Sequence, residues 1–220
     1  MSGERRRDDV QFDVDGVSLD GVVTVPSDPM GIVIFAHGSG SSRHSPRNVG
    51  VAEVLHGGGF ATVLFDLLTA EEATDRGHVF DIEMLARRLG TVTTTIASRV
   101  GLGTLPIGYF GASTGAAAAL WAAGSPESGV RAVVSRGGRP DLAEARLDVV
   151  RAPTLCIVGS EDTAVLELNR RALRQMHCER RLEVIPGATH LFAEPGTLQR
   201  AATSASAWFG RYLRPFGAAT

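Results

Sequence analysis

The chain has 220 residues, 44% of them hydrophobic and 21% charged, with a formal net charge of −2. These values exclude a disordered or coiled-coil chain, and they leave no basic excess to draw it onto nucleic acid or an anionic membrane. All 22 basic residues are arginine, which excludes a Schiff-base or P-loop lysine, and the two cysteines, Cys156 and Cys178, are too few for a disulfide framework and not spaced as metal ligands.

The N-terminal segment is charged and no apolar h-region follows it, so residues 1–9 are expected to be a flexible tail. No apolar run approaches about 18 residues, and a cytoplasmic location is expected. Val10–Val14 and Val17–Val25 alternate around Asp15-Gly16, a hairpin signal that predicts an antiparallel pair at a sheet edge. Six short β-branched runs follow, at 31–36, 61–65, 106–110, 130–134, 154–158 and 181–185. Most are apolar on both faces, as central parallel strands covered by helices are. Between them Ile82, Leu85, Leu89, Val92, Ile96 and Val100 lay one stripe along a helix from about Phe80 to Val100. Leu198, Ala201, Ala205, Trp208, Phe209 and Tyr212 do the same for a C-terminal helix. This alternation, with no repeat or linker, predicts a single α/β domain over residues 1–220.

Chemistry concentrates at strand ends. Gly111-Ala112-Ser113-Thr114-Gly115 follows a predicted strand and opens the alanine-rich helix Ala116–Ala123, the setting of a nucleophile elbow. The pattern alone arises by chance about 0.2 times in such a chain, so its position carries the inference. A glycine-rich turn without catalysis is the plainer alternative. Partners for Ser113 are expected in the order nucleophile, acid, histidine. The run 154–158 ends in Gly159-Ser160-Glu161-Asp162, and Asp162 is the expected acid, with the adjacent Glu161, whose side chain should point elsewhere, as the alternative. The run 181–185 leads through Pro186-Gly187-Ala188-Thr189 to His190, the expected general base, whose ordinary pKa near 6.5 suits proton transfer in both directions. His56 and His177 fall in helix-like segments, and His44 and His78 in loops.

Oxyanion donors are expected from two backbone N–H groups, that of Thr114 at the start of the elbow helix and that of Ser39 in the loop His37-Gly38-Ser39-Gly40-Ser41-Ser42. A dinucleotide cradle in that loop fails on spacing, because Arg43 stands where a third glycine is required.

These motifs together resemble the α/β-hydrolase superfamily, in its small, cap-less dienelactone-hydrolase-like branch, over nearly the whole chain. The resemblance implies an α/β-hydrolase fold with a mostly parallel eight-stranded sheet, helices on both faces and no cap domain. It also implies hydrolysis of esters or related acyl bonds with no cofactor and no metal. Dienelactone hydrolases proper carry a cysteine nucleophile, and Ser113 in its place favours a carboxylesterase acting on a small-molecule ester through an acyl-enzyme. An acyltransferase or small peptidase using the same three residues, or a non-catalytic binding module on the scaffold, are the rival readings. Without a cap, a shallow pocket suited to small or exposed acyl groups is expected. Arg136 and Arg43 are candidate substrate-binding residues, Arg136 through a substrate carboxylate. A loop arginine bonded to backbone carbonyls is the plainer alternative for it, and Arg43 and Arg47 stand under the same reserve.

Overall fold

The computed structural model describes residues 5–99 and 101–213. Eight strands run β1 (Arg5–Val14), β2 (Val17–Pro26), β3 (Gly31–Ala36), β4 (Phe60–Phe65), β5 (Ile107–Ala112), β6 (Ala132–Arg136), β7 (Thr154–Gly159) and β8 (Arg180–Ile185). They form one sheet in the order β1-β2-β4-β3-β5-β6-β7-β8. The β1/β2 and β2/β4 pairs are antiparallel and all others parallel. Every residue of β3, β4, β5, β6 and β7 is buried, which is why these strands read as unbroken apolar runs.

Among the described residues six α-helices pack with them: α1 (Pro46–Gly57), α2 (Arg76–Val79), α3 (Ile82–Ala97), α4 (Thr114–Ala123) and α5 (Thr163–Gln175) between strands, and α6 (Thr197–Tyr212) after the last. Strand alternation divides the core in two. Ile34, Val63, Tyr109 and Val133 pack with α3 and α4 on one face, and Val33, Phe110, Val134 and Ile157 pack with α1 and α6 on the other. Among the described residues, no helix is long and apolar enough to cross a membrane.

Three expectations change. Residues 5–9 are not a tail, because their backbone continues β1, from Arg5 opposite Pro26 to Asp9 opposite Val22. An edge strand tolerates such a charged run, since its side chains stay in water; residues 1–4 lie outside the described set. The predicted run 130–134 is observed as Ala132–Arg136, so Arg136 ends a strand instead of entering a loop. The segment after it, Pro140–Val149, is a 3-10 helix kinked at Ala143. The helix expected to reach Val100 ends at Ala97, and Val100 lies outside the described residues. The β1/β2 turn is as predicted, with both Asp15 and Gly16 at positive φ, as a two-residue type I′ hairpin requires.

Candidate active site

Parallel strands bring their C-terminal ends to one rim, and the candidate residues sit there. Ser113 follows β5 and stands at φ 52, ψ −122, outside the regions open to most L-residues. The neighbouring glycines permit the turn. A Cβ on Gly115 would lie 2.2 Å from the Ala36 carbonyl oxygen, and one on Gly111 would lie 2.4 Å from Ala116 Cα. The Ser113 N–H donates to the Arg136 carbonyl at 3.2 Å, and the Arg139 N–H donates to the Ser113 carbonyl at 3.1 Å, so β6 and its loop clamp the elbow.

His190 Nδ1 donates to Asp162 Oδ2 at 2.6 Å, a charge-assisted length. Asp162 occupies the N-cap position of α5, where a carboxylate ordinarily accepts from the first helical N–H groups, yet it makes no capping bond. Its side chain is given to the histidine. Glu161 is exposed and accepts from Ser160 Oγ at 2.8 Å, away from His190. The two loops are tied together: the Glu161 N–H donates to the Ala188 carbonyl at 3.0 Å, and the Gly187 N–H to Ser160 Oγ at 2.8 Å. Thr189 is fixed through its N–H and hydroxyl to Glu194, at 3.1 and 2.6 Å.

Ser113 Oγ has no hydrogen-bond partner among the described residues. His190 and Asp162 are thus paired, while Ser113 Oγ is not hydrogen-bonded to His190.

The oxyanion side differs from the expectation. The Thr114 N–H, in the first turn of α4, has no intrahelical acceptor. The Ser39 N–H donates to Thr114 Oγ1 at 2.9 Å, so it is already engaged. This bond joins residues 75 apart in sequence and has no local signal.

His37, which the sequence presents only as part of a loop motif, proves structural. Its Nε2 accepts the Leu67 N–H at 2.9 Å, so Nδ1 carries the proton and donates to the Gly38 carbonyl at 3.0 Å. Burial holds its pKa below the ordinary value, against the opposing effect of the Gly38 bond, and the ring stays neutral in this role. It ties the loop after β3 to the loop after β4. Arg88, almost fully buried, holds the same loop from α3: Nη1 donates to the Leu67 carbonyl at 2.9 Å and Nη2 to Glu72 Oε1 at 2.7 Å. The loop walls a cavity of about 190 Å³ beside Ser39 and Thr114, with Leu67, Leu68, Val79 and Leu85 as its apolar side.

Arg43 is not free to meet a substrate. Its guanidinium pairs with Asp66 and, at 3.2 Å, with Asp20, while its N–H donates to Asp66 Oδ1 at 2.6 Å. Arg136 is buried, with its guanidinium carbon 5.8 Å from the centre of the Phe192 ring. The remaining histidines lie apart: His44 is exposed in the turn before α1, His56 bonds from α1 to Thr62 Oγ1 of β4 at 2.7 Å, His78 sits in α2 instead of a loop, and His177 follows the end of α5.

The dienelactone hydrolase family model matches residues 19–218. The chain belongs to the dienelactone hydrolase family. A dienelactone hydrolase from Anabaena variabilis is 50% identical, with a TM-score of 0.91 over 96% of this chain and 99% of that one. The same sheet and helices recur in Est1E from Butyrivibrio proteoclasticus, at a TM-score of 0.78 and 17% identity, covering 92% of this chain and 98% of that one. A Mycobacterium tuberculosis protein that carries the provisional name phosphoribosyl transferase is 60% identical over 208 residues, which are 94% of this chain and 47% of that protein. This dienelactone hydrolase family member thus spans about half the length of the curated relatives it matches.

Proposed function

We propose that the chain is a serine esterase that hydrolyses carboxylic esters of small acyl groups through an acyl-enzyme. The observation that carries this reading is the combination of Ser113 on its strained elbow with the His190–Asp162 pair at 2.6 Å on the same rim. Ser113 Oγ attacks the ester carbonyl while His190 Nε2 takes its proton. The imidazolium, stabilised by Asp162, returns that proton to the departing alcohol, and water repeats the sequence to release the acid. The Thr114 N–H receives the developing oxyanion. The Thr114 hydroxyl, having accepted from Ser39, offers its own hydrogen as the second donor, which makes the Ser39 N–H a positioning group.

The cavity beside Thr114 suits a short acyl chain. The name of the Mycobacterium tuberculosis relative is compatible with this reading, since fewer than half of its residues are matched. The test is labelling by a fluorophosphonate probe together with hydrolysis of p-nitrophenyl esters from acetate to octanoate. Labelling at Ser113, a loss of turnover of roughly 10⁴-fold in Ser113→Ala and a preference for the short chains are expected. An unlabelled folded protein overturns the reading.

A further inference from the structure

The loop after β6 meets every part of the proposed relay. Gly137 donates its N–H at 2.8 Å to the carbonyl of Ile157 in β7, the strand that leads to Asp162. It also lies against the base, since an added Cβ would be 3.3 Å from the His190 carbonyl oxygen and 3.6 Å from His190 Nδ1. Gly138 is pressed onto β6 and the elbow helix, where an added Cβ would be 1.9 Å from Ser135 Oγ and 2.6 Å from Ala116 Cβ. Arg139 donates its N–H to the Ser113 carbonyl at 3.1 Å. Three consecutive residues thus form a backbone bridge between the nucleophile, the base and the strand of the acid.

Asn169 of α5 holds the middle of that bridge. Its Nδ2 donates to the Gly138 carbonyl at 3.0 Å and to the Val165 carbonyl, one turn back in its own helix, at 2.8 Å. Two carbonyl acceptors use both amide hydrogens and fix the orientation, because a flipped amide would set its oxygen against both. The side chain is wholly buried, and its Oδ1 has no hydrogen-bond partner among the described residues. An enclosed amide with an unpaired oxygen is a costly way to fill a core, since leucine has nearly the same shape and nothing polar to desolvate. What leucine lacks is the bond to Gly138.

The helix that carries Asn169 is also the one that begins at the acid. Asp162 is its N-cap, and the Leu166 N–H donates to the Asp162 carbonyl at 2.9 Å. Asn169 therefore ties the acid's helix to the loop that backs Ser113 and His190, by a bond between residues 31 apart in sequence. The bond touches no reacting atom, and its effect on chemistry is through the bridge alone.

We propose that Asn169 is a positioning residue of the relay: by holding the Gly138 carbonyl it fixes the 137–139 bridge, and with it the spacing of Ser113, His190 and Asp162. This rests on the esterase reading above, and the test separates the two. Asn169→Leu is compared with wild type and with Ala172→Gly, which weakens the same helix three residues on and removes no bond to the bridge. Turnover of p-nitrophenyl acetate is counted per molecule labelled by the fluorophosphonate probe, so that loss of folded protein does not enter. Asn169→Leu is expected to lower kcat about tenfold or more with KM within about twofold, because misplacing reacting groups by about 1 Å costs up to about 10²-fold. Ala172→Gly is expected to lower Tm with kcat unchanged. Where Asn169→Leu does not fold, Asn169→Ser takes its place: a hydroxyl has one hydrogen, and in a helix it goes to the carbonyl one turn back, so the Gly138 bond is still lost. A loss of kcat smaller than about tenfold in the folded Asn169 variant, or an equal loss in Ala172→Gly, overturns the proposal. A wild type that is neither labelled nor active overturns the esterase reading instead, and the placement is then read by NMR alone. Movement of the Ser113 and Arg139 amide resonances and the His190 ring resonances in the Asn169 variant, absent from Ala172→Gly, supports it, and stationary resonances overturn it.

Discussion

Replacing Ser113 by glycine should make the protein more stable while abolishing its chemistry. Ser113 is held at φ 52, ψ −122, and such a conformation costs a side-chain-bearing residue about 1–3 kcal/mol. Glycine adopts it freely, against a backbone entropy loss of about 0.5–1 kcal/mol. The Ser113 hydroxyl has no hydrogen-bond partner among the described residues, so nothing is subtracted on that account. The net gain is about 0.5–2 kcal/mol, which for a chain of this size raises Tm by about 1–8 °C. Ser113→Ala is the control, since it removes the same hydroxyl but keeps the Cβ and hence the strain. Thermal unfolding followed by circular dichroism, with urea titration at 25 °C, compares the two variants, and neither is expected to turn over p-nitrophenyl acetate. A glycine variant that melts at or below the alanine variant would refute the claim that backbone strain is stored at the nucleophile.

Three other outcomes follow from the site. Asp162→Asn keeps the shape of the acid but loses the acceptor for His190 Nδ1–H, and should lower kcat by roughly 10³–10⁴-fold in steady-state assays; retention within tenfold would remove Asp162 from the relay. Thr114→Val is expected to lower kcat by about 10- to 100-fold at similar KM, with Thr114→Ser restoring most of it; an equal or faster valine variant would show that Ser39 N–H is itself the oxyanion donor. Hydrogen bonding from Arg88 holds the Glu72 carboxyl down to about 2, so its contribution to stability is complete above the ordinary value of 4.5 and is lost as pH falls from there through 2. Glu72→Gln should therefore cost about 1–3 kcal/mol at pH 7 by leaving buried Arg88 short of its partner, and this difference should shrink with acidification in urea titrations; a pH-independent difference would assign it to packing.

Much of the site can be read from the sequence because its parts are local signals. A glycine–serine–glycine turn between a β-branched run and an alanine-rich helix can be recognised without tertiary information, and so can a carboxylate and a histidine placed just after later runs. The parallel sheet then makes their meeting nearly automatic, since every such strand ends on the same rim. Asp162 is preferred over Glu161 in sequence on backbone direction, and the bond at 2.6 Å agrees. The extension of β1 through Arg5–Asp9 could not be read, because a charged edge strand has no apolar alternation to mark it.

The sequence by itself determined the fold class, the order of the strands, and which serine, histidine and carboxylate are the candidates for nucleophile, base and acid, all of which follow from periodicity and from residues a few positions apart. Only the tertiary structure decided what the remaining polar groups do. Asp66 and Asp20 neutralise Arg43, Thr114 Oγ1 engages the Ser39 N–H, Arg88 and His37 hold the cavity wall, and Arg136 is buried with no counter-charge among the described residues. The reason is physical: a side chain's charge or hydrogen bond is settled by whichever partner the folded chain brings within about 3 Å, and those partners lie tens of residues away where no local pattern records them.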